Sequence, residues 1–204
     1  FRERGKQIDI MRCLGLGWEI LRSRFWLLVG ASALLLLIQT VVDFIPAVGW
    51  IVSAALPFVI WGGLDWLCLK LVRRQPAELA DALSGFRINF VQLLVGGIVS
   101  TVLIIIGLAL LIIPGLYLLM AWYSFAPLLM MDKGMDFWPA LELSRKAVTA
   151  NLGVMIGFFA MALLILIGGA LACLVGLFVA IPWISAAYVY AYEILFSAAP
   201  AETA

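Results

Sequence analysis

Ile88–Met131, INFVQLLVGGIVSTVLIIIGLALLIIPGLYLLMAWYSFAPLLMM, runs for 44 residues without a charged side chain. About 20 apolar residues in a helix cross the hydrocarbon core of a bilayer. This stretch is therefore long enough to cross twice, and Pro114-Gly115 supplies the turn between the two crossings. The pattern recurs on either side. Ala147–Tyr192 is a second charge-free run, of 46 residues, broken around Gly168-Gly169 and Ile181-Pro182, and Phe25–Val42 and Phe44–Leu64 give 18 and 21 more. Six transmembrane helices follow, at about 25–43, 48–70, 90–112, 115–132, 152–171 and 176–197. The composition agrees: 66% of the 204 residues are hydrophobic, 12% are charged, and the mean hydropathy is +1.16. A soluble domain is about half apolar and a quarter charged, so the solvent for this chain is lipid. The expected fold is all-α, a polytopic membrane protein forming a single integral membrane domain over 1–204.

The basic residues set the orientation. Arg2, Arg4, Lys6, Arg12, Arg22 and Arg24 precede the first span; Lys70, Arg73, Arg74 and Arg87 flank the second connection; Lys133, Arg145 and Lys146 occupy the fourth. These are all 13 Lys and Arg residues, whereas the turns at Pro46, at Pro114 and in the fifth connection hold none. Basic side chains mark the cytoplasmic side of short loops, which places both termini in the cytoplasm. Residues 1–24 have the basic-then-apolar outline of a signal peptide, but the charged part is too long and no small-residue cleavage site follows. The opening Phe1 suggests a fragment or a processed chain.

The spans read as three helical hairpins, in units of approximately 8–74, 75–132 and 133–197. Each unit repeats a short amphipathic segment, an apolar block, a span, a turn and a returning span. The blocks are Phe25-Trp26-Leu27-Leu28-Val29-Gly30, Phe90-Val91-Gln92-Leu93-Leu94-Val95-Gly96 and Asn151-Leu152-Gly153-Val154-Met155-Ile156-Gly157, and the turns carry Ile45-Pro46, Ile113-Pro114 and Ile181-Pro182. In the first amphipathic segment Met11, Leu14, Trp18, Leu21 and Phe25 share a helical face. In the second, Pro76 suits a first helical turn, and Leu79, Leu83 and Phe86 oppose Glu78 and Asp81. In the third, Phe137, Leu141 and Val148 form the stripe, with Pro139 near the start. Such cytoplasmic helices either lie in the headgroup layer or cap the bundle from below.

Asp65 and Glu193 lie within spans, and an ionisable group there is costly enough to count as a candidate site. Both fall toward the cytoplasmic end, and Asp132 takes the corresponding place in the second unit. The expected role is an ion pair with a base on an amphipathic segment, such as Arg87, Arg145 or Lys146; an ion or proton pathway and a headgroup-facing acid are the alternatives. Asp43 marks the outer boundary of span one. Pro57 and Pro127 kink spans two and four, either as packing or as part of a cavity-lining site. Gly62-Gly63, Gly96-Gly97 and Gly168-Gly169 let helices approach closely. No histidine is present, Cys13, Cys68 and Cys173 lack metal-ligand spacing, and Gly15-Leu16-Gly17 is not followed by the third glycine of a dinucleotide loop. The expectation is a non-enzymatic protein without cofactor or metal. A net charge of +1 gives no field for nucleic acid.

Asp81-Ala82-Leu83-Ser84-Gly85-Phe86, Ile112-Ile113-Pro114-Gly115-Leu116-Tyr117, Ala140-Leu141-Glu142-Leu143-Ser144-Arg145-Lys146 and Tyr190-Ala191-Tyr192-Glu193 carry a resemblance over nearly the whole chain. The chain resembles uncharacterised bacterial six-helix membrane domains, akin to the membrane domain of some glycerophosphoryl diester phosphodiesterases and to those that follow GYF-like modules. The resemblance implies a fold and no activity. The function expected is a scaffold or accessory subunit of a bacterial membrane complex, held by the bilayer and by a membrane-protein partner or a second copy. The alternative is a transporter or channel for a small solute or lipid; an intramembrane enzyme acting on lipid headgroups is a third possibility.

Overall fold

The computed structural model describes residues 9–43, 56–111, 121–171 and 176–196, with backbone alone for 106–111. Among these the chain is helical throughout: α1 Ile10–Ser23, α2 Phe25–Asp43, α3 Pro57–Val72, a 3₁₀ helix Leu79–Phe86, α4 Phe90–Leu111, α5 Ala126–Asp132, α6 Phe137–Ala150, α7 Leu152–Leu171 and α8 Leu177–Phe196. Three of these, α2, α7 and α8, are long and apolar enough to cross a membrane. A fourth joins them if the 3₁₀ helix and α4, bent by 69° at their junction, count as one span. The turns expected at Pro46 and Pro114 lie outside the described residues. Ile181-Pro182 does not form a turn: it sits inside α8, and Gly168-Gly169 is inside α7.

Each short amphipathic segment runs into a long helix through a break of one to three residues. Arg24 separates α1 from α2, and Asn151, whose side chain donates to the Ala147 carbonyl at 3.1 Å, separates α6 from α7. Asn89 makes the third break at φ +50°, a conformation asparagine tolerates, and its amide donates to the Met130 carbonyl at 2.6 Å. Asp9 caps α1 by accepting from the Met11 and Arg12 amides.

These segments pack against the longer helices, and their buried faces differ from the large-side-chain stripes the spacing suggests. In α1 the buried residues are Cys13, Leu14, Gly17, Ile20 and Leu21, while Met11 is 70% exposed and Trp18 and Phe25 are partly so. The reason is a close approach to α8: a Cβ at Gly17 would lie 2.7 Å from the Ala187 nitrogen. Trp183 closes that contact by donating to the Leu14 carbonyl at 2.9 Å and packing on Trp18. The 3₁₀ helix likewise buries Ala82, Ser84 and Gly85 against α3 and leaves Leu79 and Phe86 outward. It begins at Leu79, so Pro76 precedes the helix and is not in its first turn. In α6 the face is nearer expectation, with Ala140, Leu141, Ser144 and Val148 buried.

At the centre, α3 packs on α8, and Val59, Ile60, Leu64 and Leu67 of the one and Ala186, Ala187, Val189 and Tyr192 of the other all belong to the buried core. The chain before α5 is broken: residues 121–123 are helical, Ser124-Phe125 turn, and Pro127 occupies the first turn of α5. Ser144 of α6 repairs the break, donating to the Trp122 carbonyl at 2.6 Å and accepting from the Phe125 amide at 3.2 Å. Ser144→Ala leaves both groups without that partner in a fully buried position. It is expected to cost about 2–3 kcal/mol, measured by thermal unfolding in detergent, and wild-type stability would show that the hydroxyl is dispensable.

Candidate functional site

Asp65 lies eight residues before Arg73 in α3, roughly 12 Å along the helix at 1.5 Å per residue. Its side chain is half-buried and stands beside the Ser185 hydroxyl of α8. Among the described residues no base pairs with it. It lines a groove of about 500 Å³ between α3, α4 and the broken segment before α5, walled by Phe58, Trp61, Ile104, Ile105 and Tyr123. Ser100 adds a hydroxyl that is 1% exposed and has no hydrogen-bond partner. Pro57 and Pro127 both line this groove. The Ser124-Phe125 break next to Pro127 lies beside this groove, with Phe125 fully buried in protein.

Glu193 and Asp132 belong to a different assembly. Arg73, at the C-terminal end of α3, donates through Nε to the Glu193 carboxylate and through both terminal nitrogens to Asp132, the Nη2–Oδ2 bond measuring 2.9 Å. Tyr192 donates to the same Asp132 Oδ2 at 2.9 Å. Lys133 donates to the Phe196 carbonyl at 3.0 Å and stands over its ring. These bonds, Asp132's fork first, hold the Arg73 guanidinium charged well above its usual range. One cation thus joins the ends of α3, α5 and α8, a fork geometry that lysine cannot reproduce.

The bases expected to serve the acids are elsewhere. Lys146 pairs with Glu142 on its own helix at 2.7 Å, which lowers the pKa of the Glu142 carboxyl. Arg145 is exposed and lines a second recess of about 500 Å³ with Trp122, Tyr123, Trp138 and Glu142. Arg87 caps the 3₁₀ helix through its backbone. Asp81 takes Lys70 at 2.7 Å while accepting from the Glu78 amide. Asp43 accepts from Gln39 at the end of α2. Cys13 is buried, which raises its thiol pKa and keeps it protonated. Among the described residues no group of three His, Cys, Asp or Glu could hold a metal ion.

Sequence reasoning placed Arg73 on the cytoplasmic face and did not choose it as the partner of the acids. The available signal was position: Arg73, Asp132 and Glu193 each lie toward the end of an expected returning span. Ser185, Ser100 and the aromatic walls of the Asp65 groove carried no comparable signal, because hydroxyls and rings are scattered along every span. No protein-family model, characterised protein or solved structure matches the chain.

Proposed function

We propose that the chain is a non-enzymatic scaffold, an accessory subunit of a complex in a bacterial inner membrane. In this reading it crosses the membrane six times as three hairpins, with both termini in the cytoplasm. The observation that carries it is the Arg73 node. A guanidinium that ties the ends of three elements from three successive units makes their cytoplasmic ends one rigid body. Gly17 against α8 and the 3₁₀ helix against α3 reinforce that base by backbone-to-backbone packing. The outer helices α2 and α7 bury few residues within the chain, which leaves long apolar faces for lipid or for a partner's helices. The resemblance to bacterial six-helix membrane domains supports the same arrangement and adds no activity.

The test is gentle nanodisc purification from the native membrane, followed by mass spectrometry of the co-migrating proteins. A stoichiometric membrane partner is expected, and its loss when Leu163 and Leu164 on the outward face of α7 become Ala would place the contact. A chain that runs alone or only with itself would remove the accessory-subunit reading. The second reading, a transporter or channel for a small solute or lipid, is favoured by one observation, the groove that Asp65 shares with the broken segment.

A further inference from the structure

We propose that the groove beside Asp65 binds a lipophilic cation, a single positive charge on an apolar body, taken from the hydrocarbon layer. This goes beyond the scaffold reading and stands or falls apart from it.

The chemistry of the lining selects the ligand. A carboxylate inside a membrane is costly unless a positive charge compensates it, and among the described residues no base pairs with Asp65, whose neighbour on α8 is the Ser185 hydroxyl. Phe58, Trp61 and Tyr123 stand in the same wall, and aromatic faces attract a weakly hydrated cation most strongly where water is excluded. The Ser100 hydroxyl, buried and unpartnered, gives a second polar point for the charged end. Thr101 and Ser124 apart, the remaining wall is apolar, and Ile105 at its edge is 60% exposed on α4, so the rim reaches the outer surface of the helix bundle. A volume of about 500 Å³ suits a compact organic ion.

Other occupants fit less well. A hard metal ion requires six or more oxygen ligands or retains much of its water, whereas the groove offers one carboxylate and a few hydroxyls. A phospholipid headgroup brings a phosphate, and no Lys or Arg lines the groove to receive it.

The experiment is equilibrium dialysis of the chain in nanodiscs with radiolabelled tetraphenylphosphonium. Saturable binding at one site per chain is expected, weakened about tenfold or more by Asp65→Asn and severalfold by Trp61→Leu. Tetramethylammonium, a cation with little apolar body, should displace the probe poorly. Triphenylphosphine oxide, similar in shape and neutral, should leave it bound. No saturable binding to the wild-type chain would overturn the proposal. Equal displacement by the neutral competitor would overturn it too, without recourse to any variant, as would unchanged affinity in a folded Asp65→Asn protein. Efficient displacement by tetramethylammonium would sink the requirement for an apolar body.

Discussion

Arg73→Ala is expected to destabilise the folded chain by about 2–3 kcal/mol, read as a lower unfolding midpoint in a detergent or mixed-micelle titration. Breaking a buried ion pair from one side costs about 3–5 kcal/mol because it strands a charge. Arg73 is 33% exposed, so water recovers part of that. Two carboxylates are stranded here, however, and the Asp132 and Glu193 side chains are only 10% and 17% exposed. Their mutual repulsion has no other described cation to quench it apart from Lys133, whose ammonium is already engaged with Phe196. Arg73→Lys should restore only part of the loss, since an ammonium cannot hold a forked carboxylate and a second acid in one plane. The decisive comparison is Arg73→Ala combined with Asp132→Asn and Glu193→Gln. Removing all three charges should be milder than removing the cation alone. If the triple variant is the least stable, the node acts through packing and not through charge.

Long apolar runs made the helices legible before any coordinates. The expected span at 25–43 coincides with α2, that at 152–171 with α7, and α8 differs from its expected bounds by one residue at each end. Charge-free length is a strong signal because lipid tolerates little else. The choice of which face packs was not legible in the same way. Amphipathic reasoning ranks side chains by size and hydrophobicity, and so selected Met11, Trp18, Leu79 and Phe86, which the fold leaves partly or largely exposed. What decides the contact is instead how closely the backbones approach, and only small residues such as Gly17, Ala82 and Gly85 permit that approach. Ile181-Pro182 misled for a related reason. A proline marks a turn in water-soluble chains, but neighbouring helices can re-satisfy the carbonyl it frees, and α8 continues through it. The candidate site was half legible. Asp65 announces itself as an acid in an apolar run, and Phe58 and Trp61 share α3 with it, while Tyr123 and the hydroxyls of the groove are brought in from α4 and the segment before α5 only by the packing.

The same principle yields the largest effect in the molecule, at Gly63 and Gly85. A Cβ on Gly63 would lie 2.0 Å from the Ala82 carbonyl oxygen, and one on Gly85 would lie 2.0 Å from that of Val59. The two contacts are one turn apart on each partner, so α3 and the 3₁₀ helix touch backbone to backbone along a short seam. Neither obstacle is a flexible side chain, so an added methyl must push the elements apart. Gly63→Ala gains about 1 kcal/mol of helix propensity, yet the forced separation should cost about 3 kcal/mol or more, leaving a clear net loss. The shift would also strain the Lys70–Asp81 pair, which spans the same two elements. Gly85→Ala should behave alike, and the double variant should lose less than the sum, because both methyls demand the same displacement. Gly168→Ala is the control: it too lies within a helix, nothing stands within 4 Å of its added Cβ, and it should be neutral or stabilising by up to about 1 kcal/mol. Unfolding midpoints of the four proteins in one detergent decide the matter. A Gly63→Ala protein as stable as Gly168→Ala would mean that the seam is looser than the structure has it, and that the small residues of Asp81–Phe86 serve something other than close packing.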